Sequence, residues 1–541
     1  MTTAESIAGP SRTKAVESYV IVPSMPGMVD IYQYGQSPMP MSAEAAIEYL
    51  ADAPDEELSV CWNLDQTIAP LLKALGKQNC ETLYKTGRCF HRPYSIFYIE
   101  KKVFGVHRVG AKRKLSLYGI DQFYPENDEP STVEELQVLA QDVVTALGKM
   151  GLEATRLSSA IALYDEQQMR HFSLPTGQDM PREAAFLAWQ CGGKLWIENF
   201  VMGYWEKAYD YDIVSAFPSV ARELVDIRYL DWVHTEMYQS DAVYGYAKCE
   251  VQIHEWVKVH PIIHRHANGE LSCPWGWFEE YLTKGEIDFI RKEKLGDVEI
   301  LDAWWGKPKE DKRLPRPLAM PLDRMFAHKE SNDPLGKRIA KSILVGNYYG
   351  RFGEERKKAF GPHWNPCYFA EISTQTRLRV ADFLYAHFIG PGDGDGYRHL
   401  LHVSVDGVLL DTPVIPADMR GIRVGLGSWK LDSVSPALVI SSGLLYLGGK
   451  HPKGLWLEDV LTMINLNPGH PYYERGTPRM VTLGEALTNK KFEELGMVKD
   501  FYSTIDLLSL EQERVFDKVP RTGGELLKNT YRSQPDKVWE V

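Results

Sequence analysis

The sequence predicts a multidomain chain, an α/β unit followed by α+β units, on three observations. Its 541 residues exceed the roughly 250–300 residues at which one hydrophobic core stops growing, so at least three units are expected. From Tyr19 to Met150, short apolar runs of strand type alternate with amphipathic stretches of helix type. From Ala185 the texture changes to aromatic-rich segments in which apolar and polar residues alternate, and a second core begins.

In the first part, Tyr19–Pro23 and Leu58–Trp62 read as buried strands and Ala43–Leu50 and Thr67–Leu75 as helices. Phe97–Tyr118 reads as a β-meander with a basic stretch. Thr132–Met150 carries Val133, Leu136, Leu139, Val143 and Leu147 at helical spacing and stops before Gly151, and the first domain closes near Gly177. Beyond it, Phe186–Trp196, Lys207–Val214 and Tyr244–Ile253 read as strands and Glu279–Lys294 as a helix. After a Pro-rich joint at Pro308–Pro321 come a basic helix, Pro334–Gly346, and a second helix, Tyr368–Phe388. The loop Gly390–Gly396 then leads into a strand pair, His399–Val405 and Gly407–Asp411. Beyond Gly448 the chain reads as mostly helical and charged.

The composition, 44% hydrophobic and 25% charged, is that of an ordinary globular protein without repeats or low-complexity tracts. A net charge of −12 argues against a protein that coats nucleic acid over its whole surface. Locally the sign reverses: between Arg324 and Lys358 there are nine Lys or Arg against four Asp or Glu. The seven cysteines include no C-x-x-C pair, and reduced intracellular thiols are expected. The polar first 18 residues read as a disordered tail; with neither a signal peptide nor a membrane span in view, a cytoplasmic protein in a bacterial or host-cell interior is expected.

Three segments carry the chemistry. The first, Asp210-Tyr-Asp212-Ile213-Val-Ser215-Ala216-Phe217-Pro218, is a strand that ends in an acid before a Ser/Pro turn. The second, Leu401-His-Val-Ser404-Val405-Asp406-Gly407-Val408-Leu409, places one carboxylate inside an apolar hairpin, a costly position unless a cation or donors compensate it. Between them lies Lys337-Arg338-Ile-Ala-Lys341-Ser-Ile-Leu-Val345-Gly346-Asn347-Tyr-Tyr349-Gly350. On one helix Arg338 and Lys341 share a face that Val345 and Tyr349 continue, offering cations for a triphosphate and an aromatic for a base.

In this order the segments resemble motifs A, B and C of family B DNA polymerases, the viral, phage and plasmid enzymes in particular: Asp212–Pro218 as motif A, Asn347–Gly350 as motif B, Val405–Val408 as motif C. The likeness also takes in Pro274-Trp-Gly-Trp-Phe278 and Ser373-Thr-Gln-Thr-Arg377, and covers roughly residues 185–446. It implies an RNase H-like exonuclease-type domain followed by a right-hand palm, fingers and thumb. The corresponding boundaries are 19–180 for the exonuclease-like domain, 181–318 and 368–447 for the palm, 319–367 for the fingers and 448–541 for the thumb.

It further implies nucleotidyl transfer of dNTPs onto a primer by two Mg²⁺ ions, for which Mn²⁺ can substitute, held by Asp212, Asp406 and the Ile213 carbonyl. Two carboxylates that converge on ions about 3.5–4 Å apart let one metal activate the primer 3′-hydroxyl and the other hold the triphosphate. Ser215, Ala216, Phe217, Arg338, Lys341, Asn347 and Tyr349 are then the expected nucleotide site, with the Phe217 ring excluding a 2′-hydroxyl. Gly192, Gly193, Gly350, Lys430 and Tyr446 are the expected primer and template contacts; the Gly-Gly turn lets backbone N–H groups approach a phosphate. The partners implied are primer-template DNA, dNTPs and, possible for such an enzyme, a priming protein or accessory factors, without a membrane.

The chain departs from the family in several places. Ser404 stands where motif C has its first acid, and Lys341 is one residue out of register with the motif B lysine. Leu444-Leu445-Tyr446 lacks the lysine of the primer-gripping motif; Lys430 is the candidate substitute, with a plain solvated lysine as the alternative. In the first domain Asn63, Asp65 and Asp142 match exonuclease positions, but the early Asp-x-Glu is missing, so the expected domain is a vestigial scaffold that does not proofread. His254, His260, His264, His266 and Cys273 crowd together without tight zinc-ligand spacing and read as structural. The rival reading is a catalytically degenerate polymerase fold that binds nucleic acid or a partner.

Overall fold

The computed structural model describes residues 15–506, apart from 26, 53–56, 100–102, 111–114, 125–128, 151–173, 201–202, 268, 270, 310–313, 346–347, 357–358, 362, 390–398, 415–424, 442–443, 449–456, 459–460 and 463–471. The chain divides into two compact units interleaved along the sequence. The first comprises Met1–Ser173, Asp323–Asn347 and Arg475–Tyr502, and the second Leu174–Leu322, Tyr348–Glu474 and Ser503–Val541.

The first unit is built on an eight-stranded sheet of β1 (Ala15–Met25), β2 (Met28–Gln33), β3 (Met39–Ser42), β4 (Glu57–Cys61), β5 (Arg88–His91), β6 (Tyr94–Ile99), β7 (Val103–Arg108) and β8 (Leu115–Gly119), in the order β3-β2-β1-β4-β8-β7-β6-β5. β1 and β4, and β4 and β8, run parallel, while the hairpins on either side are antiparallel. Burial alternates along β1, with Tyr19 and Ile21 inside and Val22 outside, as a strand period of two requires. The expected tail 1–18 is shorter than that, because Ala15–Ser18 already pair with Glu57–Val60; residues 1–14 lie outside the described residues.

Helix Leu64–Leu75 starts where the Asn63 side chain accepts from the Gln66 amide, and it buries Leu64, Ile68, Leu71, Leu72 and Leu75 on one stripe. Helix Val133–Lys149 is capped in the same way by Thr132. Helix Pro334–Val345 belongs to this unit, burying Ile339, Ala340, Ile343 and Leu344 and exposing Lys337, Arg338 and Lys341. The segment expected to be mostly helical beyond Gly448 is, where described, largely extended: strands Tyr472–Met480 and Val498–Asp506 pair around one short helix, Leu483–Thr488. Its Val481, Leu483, Ala486 and Leu495 complete the N-terminal core. Charge alone suggested helix there, but the apolar residues are too sparse for a helical stripe of their own.

The second unit holds a six-stranded antiparallel sheet of β9 (Ile197–Asn199), β10 (Gly203–Ile213), β19 (Leu400–Ser404), β20 (Gly407–Leu410), β21 (Trp429–Ser441) and β22 (Leu444–Leu447), ordered β22-β21-β10-β20-β19-β9. A second sheet, ordered β11-β16-β12-β15, contains β11 (Leu230–His234), β12 (Tyr244–Ile253), β15 (Gly276–Thr283) and β16 (Gly296–Pro308). Two small hairpins, β13 (His264–Arg265) with β14 (Leu271–Ser272) and β17 (Glu355–Arg356) with β18 (Ala359–Phe360), complete the strands. The core between the sheets and helix Pro366–His387 includes Trp196, Tyr211, Ile213, Trp305, Phe383, Val403 and Val408.

Two boundaries differ from the sequence reading. Phe186–Trp196, read as a strand, is largely helix Arg182–Cys191, because Ala184, Ala185, Leu187, Ala188 and Cys191 recur at helical spacing and form its buried face. The helix read from Glu279 begins only at Lys284, where Thr283 and Glu286 form a reciprocal capping box; the residues before it are β15. The loop Gly390–Gly396 lies outside the described residues.

Candidate active site

Strand alternation sorts β10 into two faces. Tyr211 and Ile213 point into the core, where the Tyr211 ring lies 6.0 Å from Phe383, and Asp210 and Asp212 therefore point to the other side. Asp212 pairs with Gly407 of β20 on one flank and with Lys430 of β21 on the other. The Ile213 amide donates to the Asp406 carbonyl at 3.0 Å, which fixes the turn carrying Asp406 against the end of β10. A Cβ at position 407 would lie 2.9 Å from the Tyr211 carbonyl oxygen and 3.7 Å from the Asp212 carboxylate, so glycine is what lets the hairpin come this close.

Both candidate carboxylates sit beside strained backbone. Val405, immediately before Asp406, has φ 52° and is spanned by a 2.5 Å bond from the Asp406 amide to the Ser404 carbonyl; Ser215, three residues after Asp212, has φ 49°. A β-branched residue in this region costs about 1–3 kcal/mol and persists where the surroundings over-determine it, a condition typical of functional sites.

The electrostatics are those of an under-compensated acidic pair. Burial and the neighbouring Asp212 carboxylate push Asp406 up to about 7. Burial also raises Asp212, against the opposing pull of Lys430, whose ammonium lies 3.3 Å from the Asp212 carboxylate and 2.6 Å from Asp432. Lys430, expected to touch the primer, is thus first of all the counter-ion of Asp212. Two partly buried carboxylates, with Lys430 paired to Asp212 alone of the two, are a donor set suited to hard divalent ions, and Ser404, exposed at the end of β19, supplies no third charge.

Next to the acids an aromatic column begins. Phe217 follows the Ser215 turn, with Ala216 buried behind it, and its ring lies 4.6 Å from that of Tyr349. Tyr349 stacks on Phe369 at 4.9 Å, and Phe369 on Trp189 at 5.4 Å. Burial pushes the Tyr349 hydroxyl up to about 12. The Gly192–Gly193 turn is shaped by the same column: a Cβ at 192 would fall 2.3 Å from the Phe369 ring, and Gly193 has φ +72°. Both glycines are thus demanded by packing and backbone.

Other expected site residues fall elsewhere. Arg338 and Lys341 lie on helix Pro334–Val345 of the first unit, and Tyr349 on the short helix Tyr348–Phe352 of the second; residues 346–347 between them lie outside the described residues. Asn347 lies outside the described residues, and Gly350 is exposed with open space above it. Tyr446 is 0% exposed on β22, which leaves its ring no surface with which to hold a primer. In the first unit Asn63 caps its helix and donates to Asp121 at 3.1 Å, Asp65 is buried and accepts from Tyr98 at 2.7 Å, and Asp142 is exposed on its helix. Among the crowded histidines, His264 pairs with Glu280 at 2.9 Å and His266 lies 2.8 Å from the Ser272 hydroxyl.

One network went unread in the sequence. Lys194, just after the Gly-Gly turn, is 0% exposed and pairs with Glu280 at 2.8 Å. Burial works to raise Glu280, yet Lys194 and His264 prevail and hold it down to about 2. Arg377, also buried, pairs with Glu286 at 2.5 Å and donates to the Lys194 carbonyl. Long-range pairs such as Lys194 with Glu280 leave no local signature, although a lysine abutting Gly-Gly was a hint.

With this geometry established, solved structures provide the comparison. Over 91% of this chain and 99% of the other, at 11% identity and a TM-score of 0.57, the chain superposes on Phi29 DNA polymerase complexed with primer-template DNA and incoming nucleotide substrates. The fold of this chain resembles that of Phi29 DNA polymerase. Phi29 DNA polymerase in an orthorhombic crystal form matches equally well, at 12% identity and a TM-score of 0.57 over 91% of this chain and all of that one. No family model and no curated protein matches the chain. Among the described residues no helix is long and apolar enough to cross a membrane.

Proposed function

We propose that this chain is a template-directed DNA polymerase of the family B type, adding deoxynucleotides from dNTPs to a primer 3′-hydroxyl. The observation that carries this reading is the placement of Asp212 and Asp406 on abutting strand ends, with Asp212 opposite Gly407 and the Ile213 amide bound to the Asp406 carbonyl. Asp212 and Asp406 would hold two Mg²⁺ ions, with Mn²⁺ as substitute and the Ile213 carbonyl as a further oxygen. When bound, the ions supply the Lewis acidity that activates the 3′-hydroxyl and neutralises the leaving pyrophosphate.

The chain's own residues supply the rest. Burial raises both Asp212 and Asp406, the latter to about 7, so added cations would favour their ionised forms. Lys430 keeps Asp212 oriented until then. Phe217, braced by Tyr349, presents an aromatic edge at the sugar position and selects against a 2′-hydroxyl. Arg338 and Lys341 are proposed as triphosphate contacts on their motif B position alone, and Gly192 and Gly193 as template contacts.

The strand order β3-β2-β1-β4-β8, with β1, β4 and β8 parallel, supports an RNase H-like reading of the first unit. With Asn63 and Asp65 engaged in capping and a tyrosine bond, and Asp142 exposed, this unit is proposed as a scaffold without proofreading. The fold match and the order of the three motifs support the right-hand reading of the remainder.

A silent nucleic-acid-binding protein is the rival, and it draws on the Lys430–Asp212 pair, where an internal cation already sits beside the carboxylate. Primer extension on a primed template with Mg²⁺ or Mn²⁺, beside an unprimed control, separates the two. A polymerase lengthens the primer by templated steps, whereas the rival binds the DNA and leaves the primer unchanged.

A further inference from the structure

Arg265 lies on β13, remote in sequence from all three motifs, yet its Nη2 donates to the Gly192 carbonyl at 2.5 Å. The same nitrogen would be in van der Waals contact, at 3.5 Å, with a Cβ at Gly193, so the guanidinium lies alongside both residues of the Gly-Gly turn. Its backbone is held as firmly: the Arg265 amide donates to Glu280 Oε2 at 3.0 Å, and Glu280 is itself fixed by Lys194 and His264. Among the described residues the guanidinium makes no ion pair with a carboxylate, and the neighbouring Glu280 charge is already shared by Lys194 and His264. A half-buried guanidinium with one bond to a carbonyl has donors left in a planar fork, the geometry that matches a phosphate.

From this we infer that Arg265 contacts a phosphodiester of the nucleic acid at the Gly192–Gly193 turn. The inference rests on the polymerase reading for the identity of the ligand but not for its chemistry. The phosphodiester is favoured over a nucleotide triphosphate because the cation is anchored to the Gly-Gly turn and not to the acidic pair. Neither Asp212 nor Asp406 is among the partners that hold it. Arg265 is thus a binding residue with a second role in bracing the Gly192 carbonyl.

The test measures binding, not turnover. The affinity of the full chain for a fluorescent primer-template duplex with a single-stranded overhang is followed by anisotropy across a salt series, without divalent metal, for the wild type, Arg265→Gln and Arg265→Lys. Gln is polar but carries no charge; Lys keeps the charge. The loss of one phosphate contact is expected to flatten the slope of log affinity against log salt by about 0.7–0.9 in Arg265→Gln, while Arg265→Lys keeps the wild-type slope. An unchanged slope in Arg265→Gln overturns the inference and leaves only the brace, as does weakened dNTP binding with DNA binding intact. A wild type that binds DNA but never extends a primer defeats the polymerase reading, and the slopes still decide the Arg265 contact.

Discussion

Lys430 and Asp212 face each other across β21 and β10 with 3.3 Å between ammonium and carboxylate, and the same ammonium lies 2.6 Å from Asp432. One cation therefore serves two acids, and Asp406, next to Asp212, is left with burial and repulsion pushing it up to about 7.

This fixes a pH dependence. Asp406 ionises near 7 in the folded chain and near its ordinary value of 3.8 when unfolded, so between these values the folded state binds more protons and stability falls as pH rises. In chelator, Asp406→Asn is expected to melt higher than the wild type at about pH 8, by an amount worth about 1–2 kcal/mol after allowance for solvent screening, and to lose that advantage at about pH 4. Thermal melts at the two pH values check it. A lower melting temperature for the variant at the higher pH would mean that the carboxylate is stabilising and not strained.

Phe217 rests 4.6 Å from Tyr349, and truncating it opens the space where a 2′-hydroxyl would sit. Phe217→Val is expected to raise ribonucleotide incorporation relative to deoxynucleotide by ~10-fold or more, about 1.4 kcal/mol of discrimination. Competition assays with matched dNTP and rNTP measure the ratio; an unaltered ratio removes Phe217 from the sugar site.

Arg377 and Glu286 form a pair buried at 1% and 0% exposure. Removing one partner strands a charge in the interior, so Arg377→Met should cost about 3–5 kcal/mol in urea denaturation. Adding Glu286→Gln should recover part of that loss, since the orphaned charge goes too. A loss in the double variant equal to the sum of the two single losses would show that the two residues act independently.

The first unit makes a negative expectation. With Asn63 committed to a helix cap and Asp65 to Tyr98, a primer with a mismatched 3′ end should persist when incubated with metal and no dNTP, and Asp142→Ala should change nothing. Shortening of that primer, abolished by Asp142→Ala, would restore the exonuclease.

How much of this was legible in the sequence depends on whether the signal was local. β10, β20 and helix Pro366–His387 are readable because their apolar residues are dense and local, and acids mark the strand ends. Helix Arg182–Cys191 is obscured in the sequence because the aromatics Phe186, Trp189 and Trp196 favour a strand, while its buried face is made largely of small alanines. The role of Lys430 and the reach of Arg265 depend on register between distant strands, which single-chain periodicity does not encode.

The central claim is that Asp212 and Asp406 act together on divalent metal in nucleotidyl transfer. Its most direct test is primer extension on a primed DNA template with Mg²⁺ or Mn²⁺, for the wild type, Asp212→Asn and Asp406→Asn, with DNA binding measured in parallel. The account expects templated extension by the wild type and a loss of at least ~1000-fold, about 4 kcal/mol, in each variant while DNA binding persists. Extension by either variant at the wild-type rate, or a wild type that is folded and DNA-bound yet inert with both metals, would contradict it.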